Sequence, residues 1–225
     1  MLVNREWSIV LNSLPILAQG ALVTIEISLI AMAGAVFLGL IVALMRISKV
    51  KILQYIAKVY ISFFRGTPLL VQLLILYFGL TSFHIVLDPY PAAVTGLILH
   101  FGAYISEIFR ATILSISRGQ WEAALALGMT NSQILRRIIL PQAVRIAVPP
   151  LWNCLIDTLK SSSLASVVTV PELTRQVEEQ SSAQFVFMPY FVTLAVFYWV
   201  MVIAMGWVQE WLEKKLEIPG GSSAS

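Results

Sequence analysis

A single cysteine, Cys154, and only two histidines, His84 and His100, occur in 225 residues. One thiol excludes an internal disulfide and is too few for a thiolate metal site, so Cys154 reads as a small buried apolar residue. The histidines lack metal-ligand spacing and read as solitary polar residues satisfied locally, so no metal site is expected. Charge is scarce too. Only 12% of residues are charged, about half of the roughly 25% usual in soluble domains. The excess is +3, with a pI of 9.1, and no basic face is interleaved with polar residues. Basic residues flanking apolar runs account for it, and no nucleic-acid partner is expected. No G-x-x-x-x-G-K-[ST] occurs, so the chain cannot cradle ATP by a P-loop. There is no nucleophile–base set and no repeat of solenoid type.

What is present is apolar length. The chain is 58% hydrophobic with mean hydropathy +0.83, the composition of a protein solvated by lipid. A membrane-crossing helix needs about 20 mostly apolar residues, and five stretches qualify: Ala21 to Met45, Val59 to Leu80, Pro91 to Leu114, Ala143 to Val168 and Phe185 to Trp207. The preceding "NREWSIVLNSLPILAQG" is short and carries Pro15, which suggests an interfacial helix. No basic n-region or small-residue cleavage site precedes the apolar run, so no cleaved signal peptide is expected. Residues 1–217 thus form one all-α transmembrane unit, and 218–225 reads as a flexible polar tail of the kind cloning leaves behind.

Lys and Arg cluster between spans one and two (Arg46, Lys49, Lys51, Lys58), between three and four (Arg118, Arg136, Arg137, Arg145) and after five (Lys214, Lys215). The other two connections hold one Arg and no Lys. The positive-inside rule places the N-terminus outside, the C-terminus in the cytoplasm, and the segment "QWEAALALGMTNSQILRRIILP" (120–141) on the cytoplasmic face. There "QWEAALALG" predicts a short helix closed by Gly128, whose missing Cβ permits the left-handed conformation. Thr130 and Gln133 have capping-box spacing for a second helix, which Pro141 is expected to end.

Glu122-Ala123-Ala124, then Gly128, then Ile138, Leu140 and Pro141 resemble the EAA motif of bacterial ABC importer permeases. "FRGTPLLVQ", "GAYISEIFR", "LPQAVRIAVPPLWN" and "LKSSSLASVVTVPELTRQ" extend that likeness over nearly the whole chain, and are similar to the polar amino-acid permeases of that superfamily. The resemblance implies a type I importer fold: five transmembrane helices, an interfacial N-terminal segment and a cytoplasmic coupling helix, in the bacterial cell membrane. It implies that Glu122, Ala123, Ala124 and Gly128 seat that helix in a groove of a partner ATPase dimer. ATP and Mg would be bound by that partner and no cofactor by this chain, which would be no enzyme. A second permease subunit, identical or homologous, and an extracytoplasmic solute-binding protein are the other expected partners. The latter would dock near "VPELTRQVEEQ", where Pro171 suits a first helical turn and Glu172 its positive end.

Charges and helix breaks inside apolar spans are functional candidates by default. Arg65, Gly66, Thr67 and Pro68 interrupt span two, exposing backbone donors and acceptors suited to an ammonium and a carboxylate, and Gln72 follows one turn on. In span four Asp157 and Lys160 share a helix face and can neutralise each other, with Ser161 and Ser163 adjacent. The family pattern is similar to Lys-Asp-Thr-Ser-Leu, whereas this chain has Lys160-Ser161-Ser162-Ser163-Leu164, with the acid one turn earlier at Asp157. In span three Tyr104 and Glu107 face one side, and Arg110 can pair with Glu107. Tyr60 to Leu70, Tyr77 to Leu80 and Leu87 to Pro91 resemble the cystine-type members. Asp157 argues instead for a cationic substrate such as arginine, histidine or lysine. A polar amino acid of cystine type ranks slightly first, with basic amino acids or glutamine as the alternative. A passive channel is the rival of another class, but it would need no cytoplasmic helix–turn–helix.

Overall fold

Residues 2–216 are described by the computed structural model, with side chains from residue 6 to 215. The tail at 218–225 lies outside them. Every regular element among the described residues is helical. Helix α1 runs unbroken from Leu2–Ile47, 46 residues, longer than a ~30 Å hydrocarbon core requires at about 1.5 Å per residue. The N-terminal segment is therefore the first part of α1, where a separate interfacial helix ahead of the span was expected. Pro15 removes one backbone donor but does not end the helix. This half of α1 packs Val10, Leu17 and Ala21 against Leu173, Val177, Val186 and Tyr190. Beside the proline, the Ser13 hydroxyl lies 2.7 Å from that of Tyr190. Tertiary packing holds the helix through a weak local position.

Span two departs further. Helix α2 (Lys51–Gly66) and helix α3 (Leu69–Leu74), the latter extended through a π-turn and a 3-10 turn to Phe83, meet at 106°. Thr67 and Pro68 are both extended at the joint, as Pro68 requires: its ring disfavours helix at Thr67 and it has no N–H to give Phe64. Helix α4 (Pro89–Ser115) is the third span. Helices α5 (Arg118–Ala126) and α6 (Asn131–Ile134) follow. A π-turn over Leu135–Ile139 then joins α6 to α7 (Leu140–Ser161), so Pro141 opens α7 and does not stop the chain there. A π-turn absorbs the extra residue and the altered hydrogen bonding around such a proline. Helix α8 (Leu173–Gln184) lies between the last two spans, and α9 (Met188–Leu216) is the fifth. Among the described residues four helical segments are long and apolar enough to cross a bilayer, and the bent α2–α3 pair, taken as one span, makes five.

The main core lies between α1 and α4. Ala31, Ala35 and Ala43 face Ala93, Leu97, Phe101 and Ile105, while Gly34 and Gly39 admit Ile98 and Ile105 against the bare backbone. Small residues at helical spacing are what lets two membrane helices approach this closely. Helix α9 is tied to α7 by the Trp152 indole N–H, which donates to the Met205 carbonyl at 2.9 Å.

Candidate functional site

A cavity of about 690 Å³ opens between α2, α4 and α7. Arg65 at the last turn of α2 reaches it, as do His100, Tyr104 and Glu107 from α4 and Asn153, Cys154, Asp157, Lys160 and Ser161 from α7. Apolar wall from Phe101, Tyr104, Ile108, Ala111 and Pro150 lies beside these converging polar groups, a mixture that suits a polar small molecule. Its charges differ in availability. Arg110 clasps Glu107 at 2.8 and 3.0 Å, and Arg46 lies 3.7 Å from the other carboxylate oxygen, so Glu107 is held in the C-terminal part of α4. Asp157 and Lys160 pair at 2.8 Å on one exposed face of α7. Among the described residues Arg65 makes no ion pair within 4.0 Å; its guanidinium lies 5.1 Å from the centroid of the Tyr104 ring.

Of the residues expected at a substrate site, Arg65, Tyr104, Asp157, Lys160 and Ser161 line this cavity. Gly66, Thr67 and Pro68 do not; they form the α2–α3 joint beside it. Ser163 turns its hydroxyl to the Lys160 carbonyl at 2.8 Å. Gln72 is buried within the joint, its amide nitrogen 3.0 Å from the Phe64 carbonyl that Pro68 leaves without a partner.

The helix–turn–helix of α5 and α6 is stapled at both ends. Ser117 caps α5, its hydroxyl accepting from Gly119 N. Gly128 takes φ +75°, and Thr130 with Gln133 completes a capping box at α6. The side-chain amides of Gln120 and Gln142 exchange two hydrogen bonds, of 3.2 and 2.6 Å, fastening α5 to the base of α7.

Residues 35–218 match the family model of the binding-protein-dependent transport system inner membrane component. The chain belongs to that family. It is 43% identical over 214 residues to the probable amino-acid ABC transporter permease protein PatM of Vibrio harveyi, covering 94% of this chain and 96% of that one. It is 42% identical to the L-cystine transport system permease protein TcyB of Bacillus subtilis (94% and 91% covered) and 37% identical to the glutamine transport system permease protein GlnP of Escherichia coli K12 (95% and 98%). Among solved structures, an amino acid ABC transporter crystallised with histidines superposes with a TM-score of 0.88 at 35% identity, covering 92% of this chain and 96% of that one. An inward-facing MetNI methionine transporter gives 0.79 at 20% identity, covering 92% and 99%, a likeness of fold. The chain is therefore the permease subunit of an amino-acid ABC importer in the inner membrane, a transport component and not an enzyme.

Within this permease two placements escape sequence reasoning. Ala124 does not face outward with its neighbours in the motif: it is buried against Ile113, Ile116, Ile134, Ile139 and Ala143. The open face of α5 and its turn carries Glu122, Ala123 and Leu127, the last 82% exposed. His100, read as a solitary residue, lines the cavity and lies 3.2 Å from Gln72. Its partner is 28 residues away in sequence, beyond the reach of any local pattern; only its position one turn before Tyr104 could have signalled it.

On the opposite side of the molecule, Glu172 caps α8 as expected, accepting from Thr174 N at 2.9 Å and Arg175 N at 2.8 Å. Pro171 lies just outside the helix. The carboxylate is fully buried, so it anchors α8 and is no docking contact. Burial pushes its pKa up to about 7, against the lowering by the two backbone amides and by the hydroxyls of Tyr198 and Thr174.

Proposed function

We propose that the cavity between α2, α4 and α7 is this subunit's share of the translocation path, and that it takes a zwitterionic polar amino acid, of cystine type first. The observation that carries this reading is the charge distribution. Arg65 stands without an ion-pair partner among the described residues, whereas both carboxylates of the cavity are already paired. An exposed guanidinium at the cavity with no ion-pair partner of its own favours a ligand carboxylate. Asp157, neutralised by Lys160, offers less to a cationic side chain than its isolated charge suggested. Cystine carries two α-carboxylates, and a relative 42% identical is named for it.

The cavity is open on one side, and a second permease subunit, a copy or a homologue, would close it. ATP and Mg bound by a partner ATPase dimer would drive the change, delivered through Glu122, Ala123 and the Gly128 turn. A solute-binding protein would load the path from outside. The basic clusters support an outer N-terminus and a cytoplasmic C-terminus.

Uptake by proteoliposomes containing the complete transporter, tested with labelled L-cystine, L-glutamine and L-arginine, measures this reading. Cystine is expected to be taken up best, and Arg65→Gln to reduce uptake of all three by roughly 10-fold or more, the scale of a lost charge-assisted hydrogen bond. Preference for arginine, or indifference to the Arg65 change, would defeat the assignment.

A further inference from the structure

Gln72 fixes more than the joint. Its side-chain nitrogen is within 3.0 Å of the Phe64 carbonyl, 3.1 Å of the Thr67 carbonyl and 2.9 Å of the Thr67 hydroxyl. That hydroxyl has already spent its hydrogen on the Phe63 carbonyl, at 2.8 Å. All three neighbours are therefore acceptors, and only the NH₂ end of the amide can face them; reversed, the amide would set four oxygens together without a proton. The amide oxygen is then the atom 3.2 Å from Nδ1 of His100. An oxygen that can only accept requires a donor, so Nδ1 carries the proton.

The rest of the ring follows. The carboxylates of the cavity are engaged by Arg110 and Lys160, and His100 shares no ion pair with either. Its hydrogen-bond partner among the described residues is a neutral amide, and the guanidinium of Arg65 stands at the same Tyr104 ring that His100 packs against, 5.1 Å between ring centroids. With cations nearby and no free acid, the neutral imidazole is favoured. With the proton on Nδ1, Nε2 is an acceptor and nothing else.

We propose that His100, locked by Gln72 with its proton on Nδ1, is a specificity-determining residue whose bare Nε2 accepts a hydrogen bond from the α-ammonium of the transported amino acid. Arg65, beside the same Tyr104 ring, takes the α-carboxylate. Gln72 is the positioning residue, and it makes the tautomer depend on the α2–α3 joint: the amide that pairs the carbonyl orphaned by Pro68 also orients the ring that reads the ligand. The inference rests on the cavity being the amino-acid site.

Two measurements on the complete transporter in nanodiscs test it. With only two histidines in the chain, ¹⁵N-histidine labelling of a His84→Asn variant of this subunit, assembled with partner chains that carry unlabelled histidine, isolates His100. His84 is exposed with φ 58°, a conformation asparagine accepts. The spectrum is expected to show Nδ1 protonated and Nε2 bare, with Gln72→Leu shifting the proton towards Nε2. A wild-type ring protonated at Nε2, or unmoved by the Gln72 change, overturns the inference. The second measurement is binding of L-cystine, L-glutamine and L-arginine, each against the same compound without its α-amino group. Wild type should prefer the amino compound; His100→Phe should lower that preference roughly 10- to 100-fold, and His100→Gln, which can return an acceptor near Nε2, should restore part of it. Preference intact in His100→Phe refutes the reader role. Failure of wild type to bind any of the three is a different result, and it removes the cavity assignment together with everything built on it.

Discussion

Glu172 is a fully buried carboxylate that makes no ion pair among the described residues, which ties the stability of this permease to pH. Glu172 gathers the amides of Thr174 and Arg175, with the Thr24 hydroxyl at 3.4 Å and the Tyr198 hydroxyl at 3.3 Å, so it joins α1, α8 and α9 at one atom group. These donors favour the ionised form, but burial outweighs them and raises the pKa from 4.5 to about 7. The folded protein therefore holds this proton more tightly than the unfolded chain. Stability from this group is fully present below about pH 4.5 and is lost as pH rises through about 7, by up to about 3 kcal/mol. Thermal unfolding of the purified transporter across that window should show the decline, and Glu172→Gln, which cannot ionise, should flatten it. An unchanged slope in the variant would assign the pH dependence elsewhere. From the sequence Glu172 was legible as a helix-start acid; its burial was not, because the burial comes from α1 and α9, more than a hundred residues before it and some two dozen after.

Elements show the same division between local and distant causes. The cap at Thr130, the turn at Gly128 and the small-residue stripe of α1 were readable because each is specified within a few residues. The expectations at Pro15, an interfacial helix, and at Pro141, a helix end, miss that a proline's local cost is countered by packing in one case and by a π-turn in the other. The stripe gives a direct test. A Cβ at Gly39 would sit 2.7 Å from Cγ2 of Ile105 and 3.1 Å from the Gly102 carbonyl, whereas at Gly66 it would meet nothing within 4 Å. Ile105 is β-branched and fully buried, so it cannot withdraw. Gly39→Ala is expected to destabilise the protein by about 1–3 kcal/mol, lowering the unfolding temperature well below that of Gly66→Ala; equal effects would disprove the close α1–α4 contact. In the helix–turn–helix the motif's two alanines should separate. A cysteine at Ala123 is expected to crosslink to the ATPase and one at Ala124 not, since Ala124 is 2% exposed inside its own subunit. The reverse pattern would mean that α5 docks by its other face.

At the scale of the whole molecule the cavity and the helix–turn–helix of α5 and α6 are two ends of one continuous piece. Helix α6, the π-turn and α7 form an uninterrupted helical run from Asn131 to Val168, with the capping box at one end and Asp157, Lys160 and Ser161 towards the other. A push on α5 reaches α7 through the Gln120–Gln142 amide pair and the core around Ala124. It then bears on the wall of the cavity without crossing a flexible loop. A rigid lever of this kind transmits displacement only while its fastening holds. Gln120→Ala combined with Gln142→Ala should leave amino-acid binding unaltered, because both residues are remote from the cavity, yet lower the amino acid imported per ATP hydrolysed. ATP hydrolysis and uptake measured in the same proteoliposomes separate the two. Loss of binding in the double variant would show that the amide pair shapes the cavity; unchanged import per ATP would show that the thrust enters α7 by another route.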